Sequence, residues 1–264
     1  MWKRHNADME GSGQGMAVGF QETVVASMGG LRGLRLLDRR DGAKVRDLVP
    51  SDTESLLVFY GAAVGYGIFA GATKDYGITI RLFDFAGNAR WTWPTVVFPH
   101  RFDPMAVDTR GRLIAIERDF NQTDSATLWP FSCDGQRADS TAVQNSNGSS
   151  IGYTVTVGSD GLLYNESYPN DRSSVSGFNV IALDREFQEK WRIHVDGLRP
   201  PSGYGGLSPT VLDEDGILYL LGIDDAGNAE LVAVQTTSPG LALTGWASTR
   251  LDNSGSGWLQ PRSQ

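Results

Sequence analysis

Apolar positions along the chain come in runs of four to eight residues, cut by Gly, Asp, Asn and Ser. Two stretches show the pattern best. Residues 153–167 read YTVTVGSDGLLYNES and, after a polar loop, 178–195 read FNVIALDREFQEKWRIHV. Residues 208–222 read SPTVLDEDGILYLLG and, after a second polar loop, 231–246 read LVAVQTTSPGLALTGW. Both place Asp-Gly before a short apolar run with a Tyr, and both reach a Trp. Short runs rich in Val, Ile, Leu and Tyr between turn residues predict antiparallel strands. Asp-Gly at 160–161 and 215–216 predicts tight hairpins, because Gly tolerates positive φ. The runs VTV, ILYLL and LVAV are continuously apolar, which predicts strands covered on both faces. GRLIAIERDF (111–120) is the one helix-like stretch, and its place in the pattern argues for strand.

The pattern repeats. Weaker copies occupy 16–50, 51–94 and 103–140, followed by 151–195 and 207–246. Asp84 and Trp91 have the same spacing as Asp184 and Trp191. Asp38 and Val45 keep the spacing without the Trp, the third copy loses it, and Gln235 takes the Asp position in the fifth. Residues 2–13 and 246–257 share Trp, Asp and Gly-Ser-Gly at equal spacing, giving about 49 residues per unit. Four strands per unit at this period predict an all-β chain, a β-propeller of four-stranded antiparallel blades with about five repeats. The expectation is a single domain over 1–264.

The phrase DxDGxLY…ALDxxxxxxW resembles the pyrroloquinoline-quinone-type β-propeller repeat, most clearly in copies four and five. The resemblance implies that Trp91, Trp191 and Trp246 dock blades onto neighbours. It also implies that 2–13 and 246–257 act as blade-linking segments. Enzyme members of that family are eight-bladed and carry a vicinal cysteine pair. This chain shows five repeats and Cys133 alone, so the resemblance implies the non-enzymatic branch, with no cofactor expected. Bound quinone with Ca²⁺ is the alternative, a dehydrogenase-like enzyme. The family's members and the chain's start in mid-repeat suggest a piece of a longer exported bacterial protein, extracytoplasmic although MWKRHNADMEGSGQG lacks a signal-peptide h-region.

Charge narrows the partners. A net charge of −8 disfavours nucleic acid, whose phosphates call for a basic stripe. The one basic cluster, Arg32 to Arg46, is interleaved with Asp and reads as a solvated strand face. Residues 56–73 carry no charge and contain small-x₃-small spacing, but they stay in register with the repeat as two strands around a Gly-rich turn rather than a membrane span.

Catalytic signals are few. His5, His100 and His194 show no metal-ligand spacing. Gly148-Ser149-Ser150-Ile151-Gly152 matches G-x-S-x-G without the strand before and helix after that the motif needs. Asp160, Asp213, Asp215, Asp224 and Asp225 sit at hairpins, where Asp caps turns and can also ligate Ca²⁺. The longer connections FNQTDS (120–125), YPNDRSSVSG (168–177), QNSNGSS (144–150), VFPHRF (97–102) and DGLRPPSGYGG (196–206) fall on one rim of a propeller, where binding is usually placed. They offer His100, Tyr168, Asp171, Arg172, Arg199 and Tyr204 as recognition residues. The expectation is a non-catalytic binding or scaffold module for a protein or other ligand. A carbohydrate-binding or glycan-cleaving propeller is the alternative, which would need carboxylates facing across a funnel.

Overall fold

A computed structural model describes residues 16–18, 23–28, 33–38, 40–48, 62–64, 67–74, 77–84, 88–93, 100–119, 122–132, 134, 141–143, 149–151, 155–169, 177–199 and 210–242. Among them are twenty strands and no helix. They form five antiparallel sheets in chain order. The first holds β1 (Met16–Val18), β2 (Thr23–Met28), β3 (Gly33–Asp38) and β4 (Lys44–Leu48). The second holds β5 (Ala62–Val64), β6 (Gly67–Lys74), β7 (Gly77–Phe83) and β8 (Ala89–Thr92). The third holds β9 (His100–Val107), β10 (Leu113–Asp119), β11 (Gln122–Phe131) and β12 (Thr141–Val143). In the fourth, β13 (Ser149–Ile151) and β14 (Thr156–Val157) both pair with β15 (Leu163–Pro169), followed by β16 (Phe178–Leu183) and β17 (Glu189–Val195). The fifth holds β18 (Val211–Leu212), β19 (Ile217–Ile223) and β20 (Ala229–Gln235).

Aspartate shapes the turns at one end of these strands. Asp108 Oδ1 accepts from the backbone amides of Arg110 and Arg112, both at 2.9 Å. Asp184 does the same for Glu186 and Gln188, and Asp213 for Asp215 and Ile217. Asp84 and Asp224 each cap the amide of the Asn four residues on. These carboxylates hold the hairpin closed, as Asp does in turns generally. Arg112 also donates from Nε to Asp108 Oδ2 at 2.6 Å in a nearly buried ion pair. Asp108→Ala should therefore cost about 2–3 kcal/mol, since two amides and a half-buried guanidinium lose their acceptor. Asp108→Asn should cost clearly less, and urea melts of both variants check the order.

Packing runs from sheet to sheet. Trp91 of the second sheet stacks on Phe131 of the third, centroids 6.1 Å apart. Ile114, Ile116 and Leu128 of the third sheet meet Val157, Leu163, Ile181 and Leu183 of the fourth in one buried cluster. Tyr164, Val180 and Ala182 on the other face of the fourth meet Leu212, Leu218 and Leu220 of the fifth.

The repeat's reading holds for GRLIAIERDF, which supplies strand β10, and for the uncharged segment, which contributes β5 and β6. Among the described residues no helix is long and apolar enough to cross a membrane. Arg35 is not solvated: it is 8% exposed and makes a two-pronged ion pair with Asp47 across β3 and β4. Among the described residues the fifth sheet has three strands. Beyond β20 the chain leaves that sheet, and Leu241 bridges to Gly158 of the fourth. Among the described residues ILYLL and LVAV are covered on one face. Leu218, Leu220 and Val234 are buried, while Leu221 is 38% and Leu231 69% exposed on the far face. No described sheet packs there, so the continuous apolar run did not mean two-sided burial.

Candidate functional site

Polar groups are expensive inside a β-sheet stack, and here they gather in one place. The buried polar and charged side chains among the described residues are Arg35, Asp108, Thr156, Asn165, Glu166, Thr210, Thr236 and Ser238. Thr156, Glu166, Thr210, Thr236 and Ser238 lie where the fourth sheet meets the fifth, whereas Asn165, opposite Ile181, turns to the third.

Residues 236–242 form a strap across this seam. Thr236 donates from its amide and its hydroxyl to Gly216 O, both at 2.8 Å. Further on, the Ser159 amide donates to Gly240 O at 2.8 Å and the Ala242 amide to Val157 O at 2.9 Å. Thr156 Oγ1 donates to Thr210 O at 3.0 Å, and the two threonine hydroxyls also meet. In the β14–β15 turn, Gly158 takes the position that Asp holds in the other hairpins. Asp160 caps Leu162 instead at 3.0 Å, and its second oxygen accepts from Tyr164 Oη at 2.8 Å and Thr237 Oγ1 at 2.9 Å. Burial, reinforced by the hydrogen bond to Asp160, pushes the Tyr164 phenol up to about 12. It therefore stays a neutral donor. Its ring lies 5.8 Å from that of Trp191.

Glu166 is the anomaly. It is 3% exposed, and its Oε1 has no hydrogen-bond partner. Burial pushes its carboxyl up to about 8. Pairing places it opposite Val180, on the face that Tyr164 and Ala182 share. Aligning Gly111, Gly161 and Gly216 puts Ile116, Glu166 and Leu221 at one position, with Ala115, Asn165 and Leu220 beside it. The fourth copy thus carries two polar residues where its neighbours are apolar. That mismatch was available in the sequence, and the search for catalytic motifs passed over it.

The sequence-predicted recognition residues do not converge on this seam as a group. His100 is the first residue of β9 and Tyr168 lies in β15, so both belong to strands rather than loops. The loop FNQTDS also shrinks, because β11 starts at Gln122 and pairs it with Asp119. Ser149 and Ser150 of QNSNGSS belong to β13. In each case backbone pairing extends into polar sequence that alternates well enough to serve as strand. Arg199 bridges to Ile223 at the end of β19. Asp171, Arg172, Tyr204, Trp246, Cys133, His5 and the terminal copies lie outside the described residues. His194 sits exposed on β17, its Nδ1 3.0 Å from Asn179 Oδ1 and its Nε2 3.0 Å from Asp196 Oδ1. Three of the five acids weighed as metal ligands are occupied elsewhere: Asp213 and Asp224 cap their own turns, and Asp160 accepts from three donors. Among the described residues no three His, Cys, Asp or Glu side chains group as a metal site.

Solved structures place this stack of sheets in the β-propeller class. The chain is similar to the β-propeller domain of Cps50 (Swd1) from Myceliophteria thermophila, with TM-score 0.53 and 12% identity over 86% of this chain and 72% of that one. It is also similar to a luciferin-regenerating enzyme, with TM-score 0.53 and 10% identity over 90% and 81%. A streptogramin B lyase gives TM-score 0.51 and 13% identity over 89% and 72%. No family model and no curated protein matches the chain. At these identities the likeness carries the fold, and function has to be argued from the residues.

Proposed function

We propose that this chain is a propeller-class binding module rather than an enzyme, a member of the non-enzymatic pyrroloquinoline-quinone-type repeat proteins acting outside the cytoplasm. The observation that carries the reading is the commitment of the turn carboxylates. Asp108, Asp184, Asp213 and Asp224 spend their side chains on their own hairpins, and Asp160 spends its own on Leu162, Tyr164 and Thr237. Acids used this way build a rigid scaffold and leave recognition to the connections. Arg172, Arg199 and Tyr204 on those connections are the residue types that dominate interfaces, and a protein partner is the favoured ligand.

A glycan-cleaving reading draws on Glu166 alone, whose raised pKa suits a general acid. It still needs a second carboxylate across from it. The test screens the intact chain against a panel of glycans and peptides, with Ca²⁺ and quinone added in parallel. The expected result is a ligand whose affinity falls at least about tenfold in Arg172→Ala/Arg199→Ala with an unchanged melt. Turnover of any panel member, or a melting temperature raised by quinone with Ca²⁺, would overturn the reading.

A further inference from the structure

We propose that Glu166 is a proton-operated latch on the seam between the fourth and fifth sheets. Protonated, it lets the seam stay closed. Ionised, it draws water in and frees the fifth sheet with its strap.

The geometry is specific. Glu166 is buried on the face of β15 that carries Tyr164, opposite Val180, and both of these belong to the apolar cluster with Leu212, Leu218 and Leu220 of the fifth sheet. A neutral carboxyl with one oxygen unpaired is tolerable there, whereas a carboxylate without a cation is not. The groups that could compensate it are few among the described residues. On its own sheet, Tyr164 shares its face and spends its hydroxyl on Asp160. Arg192 and His194 of β17 pair with Ile181 and Asn179, so register turns them to the opposite face. From the fifth sheet, the buried face of β18 and β19 brings Leu212, Leu218, Leu220 and Gly222, none of which carries a charge. On β20, Glu230 pairs with Gly222 and is exposed. Among the described residues Arg199, which joins the end of β19 at Ile223, is the one cation on this side. Burial raises the Glu166 carboxyl, and its Oε1 finds no hydrogen-bond partner.

The direction of the effect follows. In the closed seam Glu166 holds its proton up to about pH 8, whereas in the open, hydrated seam it titrates near its ordinary value of 4.5. The open state therefore binds fewer protons throughout that window. Closure is strongest below about pH 5, weakens about tenfold per pH unit as pH rises, and levels off above about 8. Near neutral pH the fifth sheet sits on the slope of this curve.

Amide hydrogen exchange on the full chain from pH 5 to 9, corrected for intrinsic rates, tests the latch. Protection in β18–β20 should fall by up to roughly a thousandfold between pH 5 and 8 and then level, while β10 and β11 change much less. Glu166→Gln should remove the slope and keep β18–β20 at the low-pH protection. A slope that survives in Glu166→Gln, or one shared equally by β10 and β11, would overturn the proposal. If that variant does not fold, infrared spectra of the wild-type chain decide. A buried carboxylic-acid band at pH 6.5 that vanishes above pH 8 supports the latch, and its absence at pH 6.5 defeats it.

Discussion

Gly216→Ala is expected to destabilise the chain by roughly 3–4 kcal/mol and to melt the fifth sheet ahead of the third and fourth. Gly216 has φ +81°, a conformation that costs a residue with a side chain about 1 kcal/mol. The larger part comes from what a methyl would meet. A Cβ there would lie 2.1 Å from the carbonyl oxygen of Ser238. That oxygen is backbone in the strap, so relief requires the strap to move. Moving it puts at risk the bonds from Thr236 to Gly216 O and from Ser159 to Gly240 O. Gly227 supplies the control. Its φ is +87°, yet nothing lies within 4 Å of its Cβ position, so Gly227→Ala should cost only about 1 kcal/mol. Urea denaturation of the two variants followed by tryptophan fluorescence separates the contributions. Equal losses at both positions would show that backbone conformation, not the strap, sets the cost.

The second large effect is at Tyr164, among the largest fully buried side chains of the described residues. Tyr164→Ala should lose about 4–5 kcal/mol, the range for emptying an aromatic site in a packed core. Tyr164→Phe keeps the ring against Trp191 and removes only the donor to Asp160. Its cost should be about 1–1.5 kcal/mol. Asp160 retains Leu162 and Thr237 as donors, which keeps the loss at that level. A calorimetric melt of each variant provides the comparison. If Tyr164→Phe were as damaging as Tyr164→Ala, the hydroxyl contact and not ring burial would be holding the seam.

The sequence foretold the turns better than the faces. Asp184 and Asp213 announce their hairpins because the interaction is local: a side chain capping amides two and four residues away needs no knowledge of the rest of the chain. Strand existence was legible for the same reason, even in GRLIAIERDF, where alternation with its neighbours outweighed helical appearance. Burial was not legible, because it depends on which sheet stands next. ILYLLG and NVIAL read alike, yet Ile181 and Ala182 are enclosed on both sides while Leu221 faces outward. Polar pairing across strands was equally hidden. Arg35 could not be assigned to the interior until Asp47 was placed opposite it. Glu166 lay between these cases. Its position in the repeat was visible, but its meaning depends on the fifth sheet closing over it.

The strap also bears on the order in which this chain assembles. Most hairpins close turns of a few residues and form between near neighbours in sequence. The contact of Ser159 with Ser238 joins residues 79 apart, and that of Thr237 with Asp160 joins residues 77 apart. Long closures cost chain entropy before they return any contact energy. Loop closure therefore predicts that sheets four and five form as separate local units and that the strap joins them late. On the same reasoning the seam is where a folding chain is expected to finish and an unfolding one to begin.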